Sequence, residues 1–98
     1  MKSRNYDNQS LKDVIESWLA QYKHLDMIYE GKVLSLWDGI VGPVISKETD
    51  HMFIKNKVLM VKLKSDALRY EMEFSRKKLV KLINTKAGRK VIEDVIFI

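Results

Sequence analysis

The sequence contains no cysteine, and it has only four glycines and one proline among its 98 residues. The absence of cysteine excludes disulfides, thiolate metal sites and thiol nucleophiles, and it fits a reducing compartment such as the cytoplasm. The scarcity of glycine and proline, beside an apolar share of 46%, is typical of a folded globular chain. A chain of this length has room for one modest core, so we expect a single domain.

The sequence also lacks signals for export, membrane insertion and catalysis. Its first ten residues are polar, which argues against a signal peptide, and no apolar run is long enough to cross a bilayer. His24 and His51 have no second ligand at a metal-binding spacing. Glu71 and Glu73 are two residues apart and so point to different sides of a helix, which does not suit paired acid–base catalysis. We therefore predict a cytoplasmic protein that is not an enzyme, with no metal, cofactor, membrane or small-molecule substrate.

Acidic residues are scarce in the second half of the chain. The net charge is +5, but residues 1–50 carry −2 and residues 51–98 carry +7. The segment 76–90 contains no acid and seven basic residues: Arg76, Lys77, Lys78, Lys81, Lys86, Arg89 and Lys90. A one-sided basic field of this kind indicates an anionic partner, which is a nucleic acid, an acidic protein surface or, less often, a membrane.

Two apolar patterns predict the centre of the fold. Residues 58–63 alternate, with Leu and Val on one side, which is typical of a strand with one buried face. From Ser65 to Asn84 the apolar residues recur every three or four positions, which predicts one long amphipathic helix. The Ser65 hydroxyl is placed to cap its first turn, and Gly88 is a natural left-handed stop.

The rest of the chain predicts further helices and strands. The expected order is a flexible segment over residues 1–9, a helix over residues 10–22, a connector at Tyr22–Leu25, a helix over residues 26–39 ended by Gly42-Pro43, a strand at His51–Lys55, a tight turn at Asn56-Lys57, the central strand and helix, and a final strand at Val91–Ile98. Both early helices are expected to cover apolar surface on the sheet. This order gives an α+β fold, α-α-β-β-α-β, with a three-stranded mixed sheet backed by helices, in a single domain over residues 10–98.

Short motifs along most of the chain resemble a known family. They are Trp37-x-x-Ile40-Val41-Gly42, Thr49, Ser65-x-Ala67-Leu68-Arg69-x-Glu71-Met72, Leu82-Ile83-Asn84 and Gly88, with a closing strand of Val and Ile. In their order and spacing they resemble the DciA-like family over residues 10–98. The resemblance implies a domain similar to the K-homology fold. It also implies a role in bacterial DNA replication, as an operator or loader of the replicative helicase DnaB with affinity for DNA, and it supplies no catalytic residue.

Aromatic and basic residues share one side of the predicted long helix. At about 100° per residue, Tyr70, Phe74, Lys77 and Lys81 fall in a narrow sector, with Lys78 beside them. Lysines neutralise phosphates and aromatic rings stack on bases, so this side suits a DNA strand. The alternative is that the two rings pack beneath the first or second helix and that the lysines are only solvated.

The outer face of the predicted hairpin is a second candidate site. It carries Phe53, Lys62 and Lys64, and it could bind single strands as other sheet platforms do. The alternative is that these lysines only protect a sheet edge from aggregation. The segment Gly39–Gly42 matches the G-x-x-G phosphate clamp of K-homology domains, but its Ile-Val centre predicts burial beside Trp37.

Two functional hypotheses follow. The first is a non-catalytic module, associated with DNA replication, that binds single- or double-stranded DNA and has the helicase DnaB as a possible partner. Its candidate nucleic-acid-binding residues are Lys77, Lys78, Lys81, Arg76, Lys86, Arg89, Lys90, Tyr70, Phe74, Lys62 and Lys64. The second is a protein-interaction adaptor that docks an acidic partner through the basic helix, with Tyr70 and Phe74 as anchors.

Overall fold

The computed structural model describes residues 8–98, with side chains from Ser10 onward. Its elements are α1 (Asn8–Glu48), β1 (Thr49–Lys55), β2 (Val58–Leu63), α2 (Asp66–Glu73), α3 (Arg76–Ala87) and β3 (Asp94–Phe97). A helical region precedes a hairpin, and a helical crossover leads to the last strand, which confirms the predicted α+β class with a three-stranded mixed sheet. The predicted flexible segment, residues 1–9, lies outside the described residues except for Asn8 and Gln9, where α1 begins.

The sheet has the strand order β1-β2-β3, with β1 antiparallel and β3 parallel to β2. The turn residues Asn56 and Lys57 have φ angles of 53° and 63°. Two successive left-handed residues give a two-residue hairpin the twist that matches its strands. The turn therefore lies where the sequence predicts it, and β1 begins at Thr49, slightly earlier than expected.

The final strand is shorter than the predicted Val91–Ile98. The Oδ1 atom of Asn84 accepts hydrogen bonds from the amides of Val91 at 2.9 Å and Ile92 at 3.0 Å, and its Nδ2 donates to the Ile92 carbonyl at 2.9 Å. Because a side chain binds these backbone groups, they are not available to a sheet ladder. Pairing with β2 therefore begins only at Asp94.

The core lies between the helices and one face of the sheet. Leu59, Val61 and Leu63 are buried, as their alternation predicts, and they pack with residues of α3 and β3. Trp37 of α1 is completely buried, and its Nε1 donates a hydrogen bond to Thr49 Oγ1 at 3.0 Å. The Thr49 hydroxyl donates in turn to a backbone carbonyl of α1 at 2.8 Å. The polar atom of the buried indole is thus satisfied, as a buried donor requires.

The first helix is longer than the sequence predicts. The connector predicted at Tyr22–Leu25 is wrong, because these residues are helical. They include no helix breaker, and the apolar stripe passes through them without a change of period. The break at Gly42 is confirmed: its φ of 84° and ψ of 173° suit glycine, and Pro43 opens a last helical segment over residues 43–48.

The first part of α1 does not cover the sheet, contrary to expectation. Its apolar side chains from Leu11 to Ile28 are exposed, and α1 contacts the core from Tyr29 onward. The helix therefore projects from the domain, and the molecule measures 64 × 21 × 20 Å. The radius of gyration of 18.7 Å exceeds the roughly 13 Å of a compact domain of this size. The first part of α1 does not reach the sheet because the rest of α1, α2 and α3 already fill the inner face of its three strands.

The predicted long helix is two helices. Phe74 closes α2, because its amide donates to the Glu71 carbonyl at 3.2 Å and the Ser75 amide donates to the Met72 carbonyl at 3.0 Å. Ser75 has φ −102° and ψ 2°, outside the helical region, and α3 begins at Arg76. α2 packs against β2 and β3, whereas α3 packs against α1 and β3. The two helices therefore share only β3 among these neighbours, and a single helical wheel does not describe the buried side of both.

Other local predictions in this region are confirmed. Ser65 Oγ accepts a hydrogen bond from the Leu68 amide at 3.2 Å and caps α2. Gly88, with φ 90°, ends α3. Ile40 and Val41, the centre of the G-x-x-G segment, are partly buried against the core, which is the arrangement expected of a structural segment rather than an open phosphate clamp.

Candidate nucleic-acid interface

Three lysines lie on the side of α3 that faces solvent. Leu79 and Ile83 of this helix are buried in the core, and at about 100° per residue Lys77, Lys78 and Lys81 lie on the opposite side. All three lysines are exposed, and no carboxylate in the described part of the chain is within ion-pair distance of them. We call them the α3 lysine cluster. None of them forms an ion pair with a described residue, although Lys77 lines a depression that also contains Glu73, Glu93 and Asp94.

Arg76 ties the junction between α2 and α3 to the sheet. Its guanidinium donates to Glu73 at 3.3 Å and to Asp94, the first residue of β3, at 2.5 Å. The hydrogen bond from Arg76 holds the pKa of the Asp94 carboxyl below its usual range, although desolvation acts in the opposite direction. The same hydrogen bond raises the pKa of Arg76. The charge of Arg76 is thus partly offset within the protein, unlike that of the α3 lysine cluster.

We expect the Arg76–Asp94 contact to stabilise the fold slightly and to lose this effect in acid. Because the folded pKa of Asp94 lies below the ordinary value of 3.8, the contribution is complete above that value and is lost as the pH falls through the folded pKa. Both side chains are more than a third exposed, so the contribution should stay below about 1 kcal/mol. Urea unfolding should show Asp94→Asn to be less stable than the wild type near neutral pH, with the difference shrinking towards pH 2. A difference that persists unchanged in acid would contradict the assignment.

Arg89, Lys86 and Lys90 lie at the far end of α3. The Arg89 guanidinium donates to Asp26 of α1 at 2.9 Å, and its central carbon lies 4.5 Å from the centroid of the Tyr29 ring. Lys90 lines a narrow recess together with two acids of α1. Lys86 is exposed in the last turn of α3. The positive potential at this end is therefore weakened by α1, which the run of basic residues alone does not reveal.

Tyr70 and Phe74 form an exposed aromatic pair at the end of α2. The two residues are 69% and 77% exposed, and their ring centroids are 5.4 Å apart in an edge-to-face arrangement. The alternative that they pack beneath the first or second helix is therefore wrong. Phe74 and Lys77 line one shallow depression, which also contains Arg76 and its carboxylate partners. The aromatic pair thus borders the α3 lysine cluster, although the break between the helices removes their common helical face.

Lys62 and Lys64 lie on the other side of the molecule, on the sheet face that the helices leave uncovered. On that face, Phe53 of β1 is opposite Met60 of β2, which is opposite Ile96 of β3. The structure therefore separates these two lysines from the α3 lysine cluster. The predicted hairpin turn implies that Phe53 is opposite Met60, but no sequence signal predicts the parallel register that places Ile96 opposite Met60.

A comparison with known protein families identifies the chain. The family model described as "Dna[CI] antecedent, DciA" matches residues 10–97. The chain belongs to the DciA family. The resemblance carried by the sequence motifs is thereby confirmed. No curated protein and no solved structure matches the chain.

Membership of the DciA family connects this domain with the loading of the replicative helicase DnaB in DNA replication. The family is of the helicase-loader or operator type and is not a known catalytic family. Within residues 8–98, the DciA domain places no group of three or more His, Cys, Asp or Glu side chains where they could hold a metal ion. No helix in the same range combines the length and the apolar character that a membrane span requires.

This DciA domain also exposes an apolar face that the sequence assigns to the core. The face runs along α1 from Leu11 to Ile28. One signal was available: the apolar residues continue at helical spacing over more turns than a three-stranded sheet can cover. Periodicity reports that one side of a helix is apolar, but it does not report what covers that side.

Proposed function

We propose that this DciA domain binds single-stranded DNA through the α3 lysine cluster and the Tyr70–Phe74 pair, in support of DnaB loading in the bacterial cytoplasm. One observation carries the proposal: an exposed aromatic pair borders three lysines that have no carboxylate partner among the described residues. Lysines attract the phosphate backbone, and aromatic rings offer stacking surface to bases. The role is one of binding, without catalysis.

Single strands fit this surface better than duplex DNA does. Rings at an exposed site can stack only on bases that are not already stacked and paired within a helix. Duplex phosphates could still contact the α3 lysine cluster, but Tyr70 and Phe74 would then add little. We therefore expect tighter binding to a single strand than to a duplex of the same length.

A salt titration tests the proposal. Fluorescence anisotropy with a labelled single-stranded oligonucleotide should show the logarithm of the affinity falling linearly with the logarithm of the salt concentration. Three phosphate contacts on a single strand predict a slope of about −2, since each contributes about −0.7. Affinity that does not depend on salt, or equal affinity for the matching duplex, would count against this surface as a single-strand site.

Removing the aromatic pair should weaken single-strand binding by roughly 10- to 100-fold, because stacking is worth about 1–3 kcal/mol per base. The variant is Tyr70→Ala with Phe74→Ala, and its salt slope should match that of the wild type, since no cation is lost. Phe53→Ala is the matched control, because Phe53 is an aromatic residue on the opposite sheet face. If Phe53→Ala lowered the affinity and the double variant did not, the uncovered sheet face would be the site.

The adaptor hypothesis remains a second proposal, because the same exposed pair is also typical of a protein-binding hot spot. In that case Tyr70 and Phe74 would anchor an acidic partner surface, such as one on DnaB. Co-purification of DnaB with the wild type and with the double variant, each with and without a single-stranded oligonucleotide, separates the two. Loss of DnaB with unchanged DNA affinity would favour the adaptor.

A further inference from the structure

The projecting part of α1 carries an apolar face that nothing in residues 10–98 covers. Leu11, Trp18 and Leu25 alternate with Ile15 and Tyr22 at steps of four and three residues. All five are exposed, and Trp18 is 61% exposed. Steps that average 3.5 residues are the heptad pattern of a coiled coil, in which these five residues form the central seam.

The same stripe continues into the core of the domain. From Tyr29, through Val33 and Leu36, it packs against the sheet and the other helices. An isolated helix is only marginally stable in water, and in proteins most of the stability of a helix comes from packing its amphipathic face against a partner. The exposed part of the stripe therefore continues a packing surface, and no partner for it lies among the described side chains of residues 10–98.

We propose that a second copy of the chain covers this face, with the two α1 helices antiparallel. A two-fold axis near residue 20 places Trp18 of one copy against Tyr22 of the other, and Ile15 against Leu25. Leu19 of one copy then meets Leu19 of the other beside the seam. The Trp18–Tyr22 and Ile15–Leu25 contacts each occur twice and the Leu19–Leu19 contact occurs once at the axis, as two-fold symmetry requires.

Charge complementarity supports the antiparallel arrangement. Lys12 and Asp26 flank the seam at equivalent heptad positions, so the axis near residue 20 brings Lys12 of each copy to Asp26 of the other. Arg89 of the same chain already binds Asp26 Oδ1, and a carboxylate can accept hydrogen bonds at both of its oxygens. A parallel arrangement would make neither of these two pairs.

Net charge favours the same orientation. Residues 51–98 carry +7, and they lie at one end of the elongated molecule. A parallel pair would hold two such basic regions side by side, whereas an antiparallel pair places them at opposite ends, where screening at physiological salt is effective. The start of one helix would then lie beside Tyr29 of the other copy, where the globular part begins.

The available area is that of a small dimer interface. Eight apolar side chains lie on or beside the seam, namely Leu11, Val14, Ile15, Trp18, Leu19, Tyr22, Leu25 and Ile28, and all are exposed. These side chains are only about half exposed, so losing half of that surface buries on the order of 400 Å² per copy, and losing nearly all of it approaches the roughly 800 Å² that a standard interface buries on one partner.

The test is the mass in solution. Light scattering on the eluting full chain should give twice the 11.5 kDa of one chain, at concentrations from about 10 to 100 μM. Trp18→Glu should raise the dissociation constant of the dimer by about 30-fold or more, as removal of a central aromatic anchor does. Met27→Glu is the matched control, because Met27 is an equally exposed apolar residue on the other side of α1, and it should leave the dimer intact.

Orientation is tested by cross-linking. The chain has no cysteine, so Gln21→Cys introduces a single thiol beside the proposed axis and should form an intermolecular disulfide under mild oxidation. Lys23→Cys, on the outer side of the helix, should not. A monomer throughout the concentration range, or a dimer insensitive to Trp18→Glu, would overturn the proposal. So would a dimer that fails to cross-link through Gln21→Cys, or a monomer that binds DnaB through Trp18.

Discussion

Reversing the charge of all three residues of the α3 lysine cluster is expected to lower the affinity for single-stranded DNA by about 100-fold or more at 0.1 M salt. The variant is Lys77→Glu, Lys78→Glu and Lys81→Glu. Each lysine that neutralises a phosphate of a single strand is worth about 0.7 decades of affinity at 0.1 M salt through counterion release, and three contacts give about two decades. The introduced carboxylates add repulsion. The salt slope should fall from about −2 towards zero in the same anisotropy titration.

A matched variant separates the position of the charges from their sum. Lys23→Glu, Lys32→Glu and Lys47→Glu change the net charge by the same amount, and all three lysines are exposed on α1. This control should lose less affinity and keep the wild-type salt slope. Both variants should unfold at the wild-type temperature, since the substituted side chains are exposed. Equal losses of affinity would show that net charge, rather than the α3 lysine cluster, governs binding.

Replacing Trp37 with alanine is expected to destabilise the fold by about 3–5 kcal/mol. Trp37 is completely buried among the core residues of α1, the sheet and α3, so its removal leaves a large cavity between all three. It also removes the indole N–H that donates a hydrogen bond to Thr49 Oγ1. Because small domains are stable by only about 5–15 kcal/mol, this loss should bring the chain close to unfolding. Urea denaturation followed by circular dichroism measures the difference.

Two further variants show which part of the Trp37 environment matters. Thr49→Val keeps the volume but leaves the indole donor without an acceptor, at an expected cost of about 1–3 kcal/mol. Phe74→Ala removes an aromatic residue that is almost fully exposed, and its cost should stay within about 0.5 kcal/mol. If Trp37→Ala were no more costly than Phe74→Ala, the position of Trp37 in the core would be wrong.

Elements that depend on local chemistry could be predicted from the sequence. Gly42-Pro43 ends a helix because of its backbone conformation, Ser65 caps α2 through its own hydroxyl, and Gly88 ends α3 with a positive φ. The alternation in β2 and the Asn56-Lys57 turn gave the hairpin. In each case the deciding interaction lies within a few residues of the signal.

Elements that depend on distant neighbours could not be predicted. Ser75 is a residue type that often precedes a helix, but the apolar spacing continues through it, and only the folded chain shows that α2 packs on β2 and β3 whereas α3 packs on α1 and β3. Asn84 shortens β3 by binding backbone groups seven and eight residues further along the chain. The sequence does not predict that α1 projects into solvent, because an apolar stripe has the same residue spacing whether it faces a core or solvent.

The candidate site likewise contains residues that the sequence predicts and contacts that only the folded chain shows. Composition identified the basic segment 76–90, and helical periodicity singled out Lys77, Lys78 and Lys81 within it. The ion pairs that set Arg76 apart from them bring together residues from α2, α3 and β3, and only the folded chain shows these contacts. The exposure of Tyr70 and Phe74 likewise depends on where α1 runs.

The contact between Arg89 and the base of the projecting helix has a mechanical consequence. Its guanidinium binds Asp26 and lies over Tyr29, at the point where α1 leaves the globular part. This contact links the base of the projecting part of α1 to the residue that follows Gly88, in addition to the packing of α1 on the core. A force on the start of α1 would be transmitted to α3, so a partner bound to α1 would also influence the orientation of a strand bound at the proposed site.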